Sequence, residues 1–249
     1  MQQSSFDKQA ERKLIVALDM PDAGAAYEFW QRLALPGAVA KIGLELLMAA
    51  GVDLVRKLAL SGARVFVDAK LFDIGNTVER ATARVADLGA AFLTVHAQDR
   101  PTLEAAVRGR GQSELKLLGI TLLTSARPDD LGAQGITLSS RDLVLKRAAF
   151  AADAGFDGVV SSPLEARDLR AAFGERLALI CPGIRPASEA VAGDDQARTA
   201  TPGDALRAGA DYIVVGRPIV RASDPSAAAR AIIGEMAEAL SGRPNQARL

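Results

Sequence analysis

Eight short apolar runs, most of them carrying valine or isoleucine, set the rhythm of this chain. They are Leu14 to Leu18, Val39 to Ile42, Val65 to Val67, Phe92 to Val95, Leu117 to Leu123, Gly158 to Val160, Leu177 to Ile180 and Tyr212 to Val215. Runs of this length without polar alternation read as parallel strands buried on both faces. Between them lie stretches with helical spacing, namely Ala23 to Leu33, Leu46 to Leu60, Thr77 to Leu88, Ser140 to Ala152 and Pro163 to Phe173. Strands alternating with helices build βαβ units. A glycine stands just before the next strand at Gly62, Gly89, Gly155, Gly174 and Gly209, where it closes a helix by taking the left-handed conformation cheaply. Eight such units in 249 residues have the size and rhythm of an α/β fold of the (β/α)8 TIM-barrel type, a single domain over 1–249, rather than an open doubly wound sheet.

Three segments fall outside the rhythm. Residues 1–12 read as a polar N-terminal extension and 242–249 as a frayed tail. Arg185 to Pro202 is a long polar stretch between the seventh and eighth strands, the kind of loop that serves as a functional lid. The charge balance, 30 Lys and Arg against 30 Asp and Glu, argues against nucleic-acid or membrane-surface partners, whose affinity comes from clustered cations. Cys181 and His96 are the only residues of their kinds, so neither an intramolecular disulfide nor a Cys/His zinc site is expected. Met1 to Lys13 lacks the apolar core of a secretory signal, and a cytoplasmic location is expected.

In a barrel of this kind the chemistry collects at the C-terminal strand ends. The residues there are polar: Asp19, Lys41, Asp68 with Lys70 and Asp73, His96, Thr124 with Ser125, Ser161 with Ser162, Arg185, and Gly216 with Arg217. The chain has only seven lysines, and two of them, Lys41 and Lys70, fall at strand ends. In an extended segment residues two apart share a face, so Asp68 and Lys70 both point into the mouth. A single Lys/Asp pair reads best as a salt bridge; four charged groups in one mouth read as function. Pro182-Gly183-Ile184-Arg185-Pro186 and Val214-Val215-Gly216-Arg217-Pro218 follow the last two strands. Loops there commonly hold phosphate through backbone N–H groups and arginine; the competing reading is a helix start with a surface arginine. Asp19 suits ribose hydroxyls or an N-cap, and Thr124 a polar ring edge or a cap. His96 and Cys181 read as structural.

These residues, in this order and spacing, resemble the orotidine 5′-phosphate decarboxylase family. The resemblance rests on Ile15-Val16-Ala17-Leu18-Asp19, Lys41-Ile42-Gly43, Asp68-x-Lys70-x-x-Asp73-Ile74 with Asn76 and Thr77, and the two phosphate-type loops. It implies that Asp19 and Lys41 hold a ribose and that Lys70 donates a proton within a network of Lys41, Asp68, Lys70 and Asp73. It also implies that Thr124 contacts the pyrimidine, that Gln196 bridges base and phosphate, and that Arg185, Gly216 and Arg217 take the 5′-phosphate. A homodimer is implied, with Asp73 and Thr77 reaching the partner's site, and no metal or organic cofactor. Phe72 and Gly75 depart from the commoner bacterial pattern without removing a charged group. Two other readings compete. One is a Mg²⁺-dependent hexulose-phosphate synthase or keto-gulonate-phosphate decarboxylase, with Glu45 as the nearby extra carboxylate. The other is a barrel that only binds nucleotides or sugar phosphates.

Overall fold

The computed structural model describes residues 5–186 and 199–242. The eight apolar runs become eight parallel strands closed into one barrel, β1 (Leu14–Ala17), β2 (Val39–Gly43), β3 (Arg64–Leu71), β4 (Phe92–His96), β5 (Lys116–Ile120), β6 (Gly158–Val160), β7 (Ala178–Cys181) and β8 (Tyr212–Val215). Because β1 pairs with both β2 and β8, no strand edge is left open. The helices are α1 (Ser5–Lys13), α2 (Ala23–Leu33), α3 (Leu44–Ala50), α4 (Asp53–Leu60), α5 (Gly75–Asp87), α6 (Arg100–Arg110), α7 (Pro128–Ala133), α8 (Ser140–Ala154), α9 (Ala166–Phe173), α10 (Pro202–Ala208), α11 (Arg217–Val220) and α12 (Pro225–Ser241).

Several boundaries depart from the sequence reading, each for a local reason. The stretch Leu46 to Leu60 is two helices, because Gly51 breaks it with φ 64° and ψ −165°. The polar segment ahead of the first strand is largely helix α1, which packs on α12 and buries Ala10 and Glu11. The Glu11 carboxylate there accepts the Gly37 N–H at 2.7 Å. The third strand extends past Val67 to Leu71, so Asp68 and Lys70 lie inside it rather than after it.

Strand alternation sorts side chains between two cores. Leu14, Val16 and Leu18 face the helices, whereas Ile15 and Ala17 join Val39, Phe66, Phe92, Leu118, Ile180 and Val214 in a separate cluster within the barrel. At its lower end the Arg64 guanidinium lies over the rings of Phe92 and Tyr212, 5.6 and 5.8 Å from their centroids. One alternation above the middle layer, the same inward faces carry Lys41, Asp68 and Thr94 instead of hydrocarbon. The barrel therefore has an apolar floor and a charged upper layer at its C-terminal end.

Candidate active site

The charged layer forms a linear array. The Lys41 Nζ lies 3.3 Å from Asp19 Oδ1 and 3.4 Å from Asp68 Oδ2, and Asp68 Oδ2 in turn lies 2.9 Å from Lys70 Nζ. Parallel pairing sets this order: Ala17 is in register with Lys41, and Gly43 with Asp68. Gly43 leaves room for this close approach, since a Cβ there would stand 3.2 Å from both Asp19 Oδ1 and Lys41 Nζ and press on the ion pair. Exposure grades along the array. The side chains of Lys41 and Asp68 are 10% and 12% exposed, that of Lys70 is 30% exposed, and that of Asp19 is 56% exposed. The anchored centre thus holds Lys70 beside open space.

Burial by itself would raise the pKa of Asp68. The charges of Lys41 and Lys70, with hydrogen bonds from Lys70 and Thr94, outweigh it and hold the carboxyl below its ordinary value. Opposite charges at contact distance favour the ionised form, and here they win over desolvation.

Lys70 reaches this position by an irregular route. Val67 pairs with Leu93 and Leu71 with Val95, so β3 carries two more residues than β4 between those pairs. Lys70 lies in that bulge at φ 49°, left-handed backbone that costs a side-chain-bearing residue roughly 1–2 kcal/mol. The expectation that Asp68 and Lys70 share a face holds, but the bulge produces it rather than simple extended alternation.

A cavity of about 460 Å³ opens over the array, a size suited to a small organic ligand. Asp19, Lys41, Asp68 and Lys70 line one side of it, and Phe66, Val160 and Val214 contribute its apolar floor. Thr124, Arg185, Gly216 and Arg217 also line it, joined by Arg221, which sequence reasoning missed. The signal for Arg221 was its place one helical turn beyond Arg217. Ser161 lines the cavity too, buried, with its hydroxyl donating to Glu165 Oε2 at 3.4 Å. The described ends of the Arg185 to Pro202 stretch are tied together: the Arg185 N–H donates to Ala200 O at 3.0 Å and the Ala200 N–H to Gly183 O at 3.2 Å. Gln196 lies outside the described residues.

Asp73 and Thr77 do not join the cavity of their own chain. Both are exposed, and the Asp73 carboxylate accepts the Ile74 N–H at 2.7 Å. Their neighbours Phe72 and Ile74 are 53% and 73% exposed. His96 stands outside the cavity against Phe72, with ring centroids 6.1 Å apart. Burial, then the positive charges of Arg147 and Lys70, lower its pKa against the opposing pull of Asp68. Cys181 is fully buried, and burial pushes its thiol above the ordinary range. Among the described residues, no three His, Cys, Asp or Glu side chains gather as a metal site, and no helix is long and apolar enough to cross a membrane.

Comparison with known proteins adds an independent line. Residues 12–232 match the model of the orotidine 5′-phosphate decarboxylase / HUMPS family. The chain is 50% identical over 228 residues to the orotidine 5′-phosphate decarboxylase of Rhodopseudomonas palustris, covering 92% of this chain and 96% of that one. It is also 50% identical to the Bradyrhizobium diazoefficiens protein of the same name over 228 residues, 92% of this chain and 95% of the relative. The crystal structure of the Lactobacillus acidophilus orotidine 5′-phosphate decarboxylase superposes with a TM-score of 0.80 at 38% identity, covering 90% of this chain and 99% of that one.

Proposed function

The chain belongs to the orotidine 5′-phosphate decarboxylase / HUMPS family, and from that premise we propose that it converts orotidine 5′-phosphate to UMP and CO₂ as a cytoplasmic, cofactor-independent carboxy-lyase of pyrimidine biosynthesis. The observation that carries this reading is the Asp19–Lys41–Asp68–Lys70 array lining the same cavity as Arg185 and Arg217. The array suits a sugar and a reacting carbon, and the arginines suit a phosphate.

Loss of CO₂ from C6 of the pyrimidine leaves its bonding electron pair on a vinylic carbon with no carbonyl placed to delocalise it. Catalysis must then be electrostatic, from charges fixed before the reaction begins. The Lys70 ammonium, held by Asp68 at 2.9 Å and facing the cavity, stabilises the developing carbanion and then gives C6 its proton. The substrate carboxylate lies near Asp68, and that like-charge contact is relieved as CO₂ departs. Such relief favours the transition state over the bound substrate. Asp19 and Lys41 take the ribose hydroxyls, Thr124 the pyrimidine edge, and Gln196 bridges base and phosphate. Arg185, Gly216 and Arg217 grip the phosphate, and binding energy from that remote group organises the site.

The Mg²⁺-dependent sugar-phosphate reading needs carboxylate oxygens free for a cation. Asp68 Oδ1 accepts from Thr94 at 2.9 Å, and Oδ2 faces both Lys41 and Lys70. Glu45 lines the cavity from the start of α3, the one extra carboxylate beside Asp19 and Asp68 among the described residues. The ammonium groups occupy the place that a cation would take at Asp68, which favours the cofactor-independent reaction.

Asp73 and Thr77 complete the site of a second copy in this reading, which assigns the exposed Phe72–Ile74 rim to a homodimer contact. Their exposure and their absence from their own cavity support it.

The test is the decay of orotate-type ultraviolet absorbance when the purified chain meets orotidine 5′-phosphate in EDTA. Decay at an undiminished rate is the expected result. No decay with EDTA, restored by Mg²⁺, would contradict the cofactor-independent mechanism, and no decay under either condition would contradict the assigned reaction.

A further inference from the structure

Thr94 lies in β4 on the inward face, fully buried, one alternation above Phe92 of the interior cluster. A buried hydroxyl needs partners. This one has two, and both belong to the charged array. Its Oγ1 donates to Asp68 Oδ1 at 2.9 Å and accepts the backbone N–H of Lys70 at 2.9 Å.

The second bond follows from the bulge. Where β3 arches away from β4 between Val67 and Leu71, the main-chain ladder loses its regular partners, and buried N–H groups require an acceptor. The Thr94 side chain supplies one to Lys70, the residue held at φ 49°. A hydroxyl that accepts from one group is free to donate its single hydrogen to another, and here that hydrogen goes to the Asp68 carboxylate. One oxygen atom thus fixes both the backbone from which the Lys70 side chain leaves and the rotamer of the carboxylate that holds its ammonium.

We infer that Thr94 is a positioning residue for the reaction: its hydroxyl sets the bulge and the Asp68 carboxylate so that Lys70 Nζ is aimed at the reacting carbon. This rests on the reaction assigned above and goes beyond it, since Thr94 itself does not line the cavity. Misplacement of a reacting group by about 1 Å costs on the order of 100-fold in rate. A hydrogen bond to a charged group corresponds to about 10- to 100-fold.

The test compares wild type, Thr94→Val and Thr94→Ser. Valine keeps the shape and removes both bonds, whereas serine restores both. For Thr94→Val, kcat falls roughly 10- to 100-fold while KM and UMP affinity change little, because the phosphate contacts are untouched. Thr94→Ser recovers most of kcat. Wild-type kcat in Thr94→Val, or an equal loss in Thr94→Ser, would overturn the inference, the latter by tracing the effect to the methyl group. Crystal structures of the variants judge the pin without reference to turnover. Lys70 leaves the left-handed region or loses Asp68 in the valine variant and keeps both in the serine variant. Lys70 still near φ 49° and in contact with Asp68 in Thr94→Val would refute it. Should valine prevent folding, Thr94→Ala removes the same bonds, with the same outcomes deciding. A wild type that leaves orotidine 5′-phosphate unchanged would sink the assigned reaction alone, leaving the structures to decide on Thr94.

Discussion

Replacing Asp68 by asparagine keeps the side chain's shape and removes the charge between two ammonium groups. At an effective dielectric constant of about 20, a unit charge at 2.9 Å contributes about 6 kcal/mol and one at 3.4 Å about 5 kcal/mol. Desolvation of the ions takes back several kcal/mol for each. What the substitution exposes is the cost of leaving partners uncompensated, about 3–5 kcal/mol for a buried pair. Lys70 is partly open to solvent, which places Asp68→Asn at the lower end, about 3 kcal/mol. The amide cannot recover this. Oδ1 of Asp68 accepts from Thr94 and Oδ2 faces both lysines. An asparagine turned with its NH₂ to the lysines sets donor against donor, and one turned with its oxygen to them keeps a dipole there, with Thr94 able to accept the NH₂, but no charge.

The pH dependence has a definite sign. The folded protein holds Asp68 below its ordinary pKa, so ionised Asp68 contributes stability that is fully present above the unfolded value of about 3.9. That contribution is lost as pH falls through the folded value. Urea denaturation at a series of pH values measures it. The gap between wild type and Asp68→Asn is widest near neutrality and closes below about pH 4. In thermal melts the neutral-pH gap corresponds to about 6–12 °C for a chain of this size. Equal stability at neutral pH, or a gap that does not change with pH, would refute the argument that the two lysines hold this carboxylate.

Arg217→Ala lowers UMP affinity by roughly 10- to 100-fold through loss of charge-assisted hydrogen bonds and leaves uridine affinity unchanged; calorimetric titration showing UMP unaffected would remove Arg217 from the phosphate site. Lys70→Ala and Asp73→Ala, each inactive alone, regain turnover when refolded together, because a hybrid dimer carries one intact site; a mixture as inactive as its parents would contradict contribution of Asp73 across the interface. Gly109→Ala puts a Cβ 2.1 Å from Glu79 O where α6 crosses α5, an overpacking that costs about 1–3 kcal/mol; an unchanged urea midpoint would show that the crossing has slack.

Strand and helix periodicity made the barrel legible, because parallel strands buried on both faces leave nearly uninterrupted apolar runs. The five glycines before strands all take positive φ, from 56° at Gly174 to 115° at Gly209. The strand-end rule brought Asp19, Lys41, Asp68 and Lys70 together, since parallel register carries equivalent positions to one mouth. The bulge that turns Lys70 was not legible. No local residue marks it, since both the positive φ and the Thr94 hydroxyl that satisfies it depend on pairing with β4. A threonine at an inward position of Phe92–His96 was the only trace, and by itself it reads as a tolerated β-branched residue. The polar residues ahead of β1 were misleading in a similar way. Helix α1 buries one narrow stripe against α12, too little apolar surface to stand out in composition.

The central claim is that the Lys70 ammonium stabilises the carbanion and delivers the proton to C6, and Lys70→Ala tests it most directly. Turnover of orotidine 5′-phosphate, followed by ultraviolet absorbance, is abolished while UMP still binds through the phosphate contacts and the melting transition remains cooperative. Near-normal kcat in that variant would contradict the claim, because no other cation of the array lies beside the cavity with Asp68 as its only ion-pair partner.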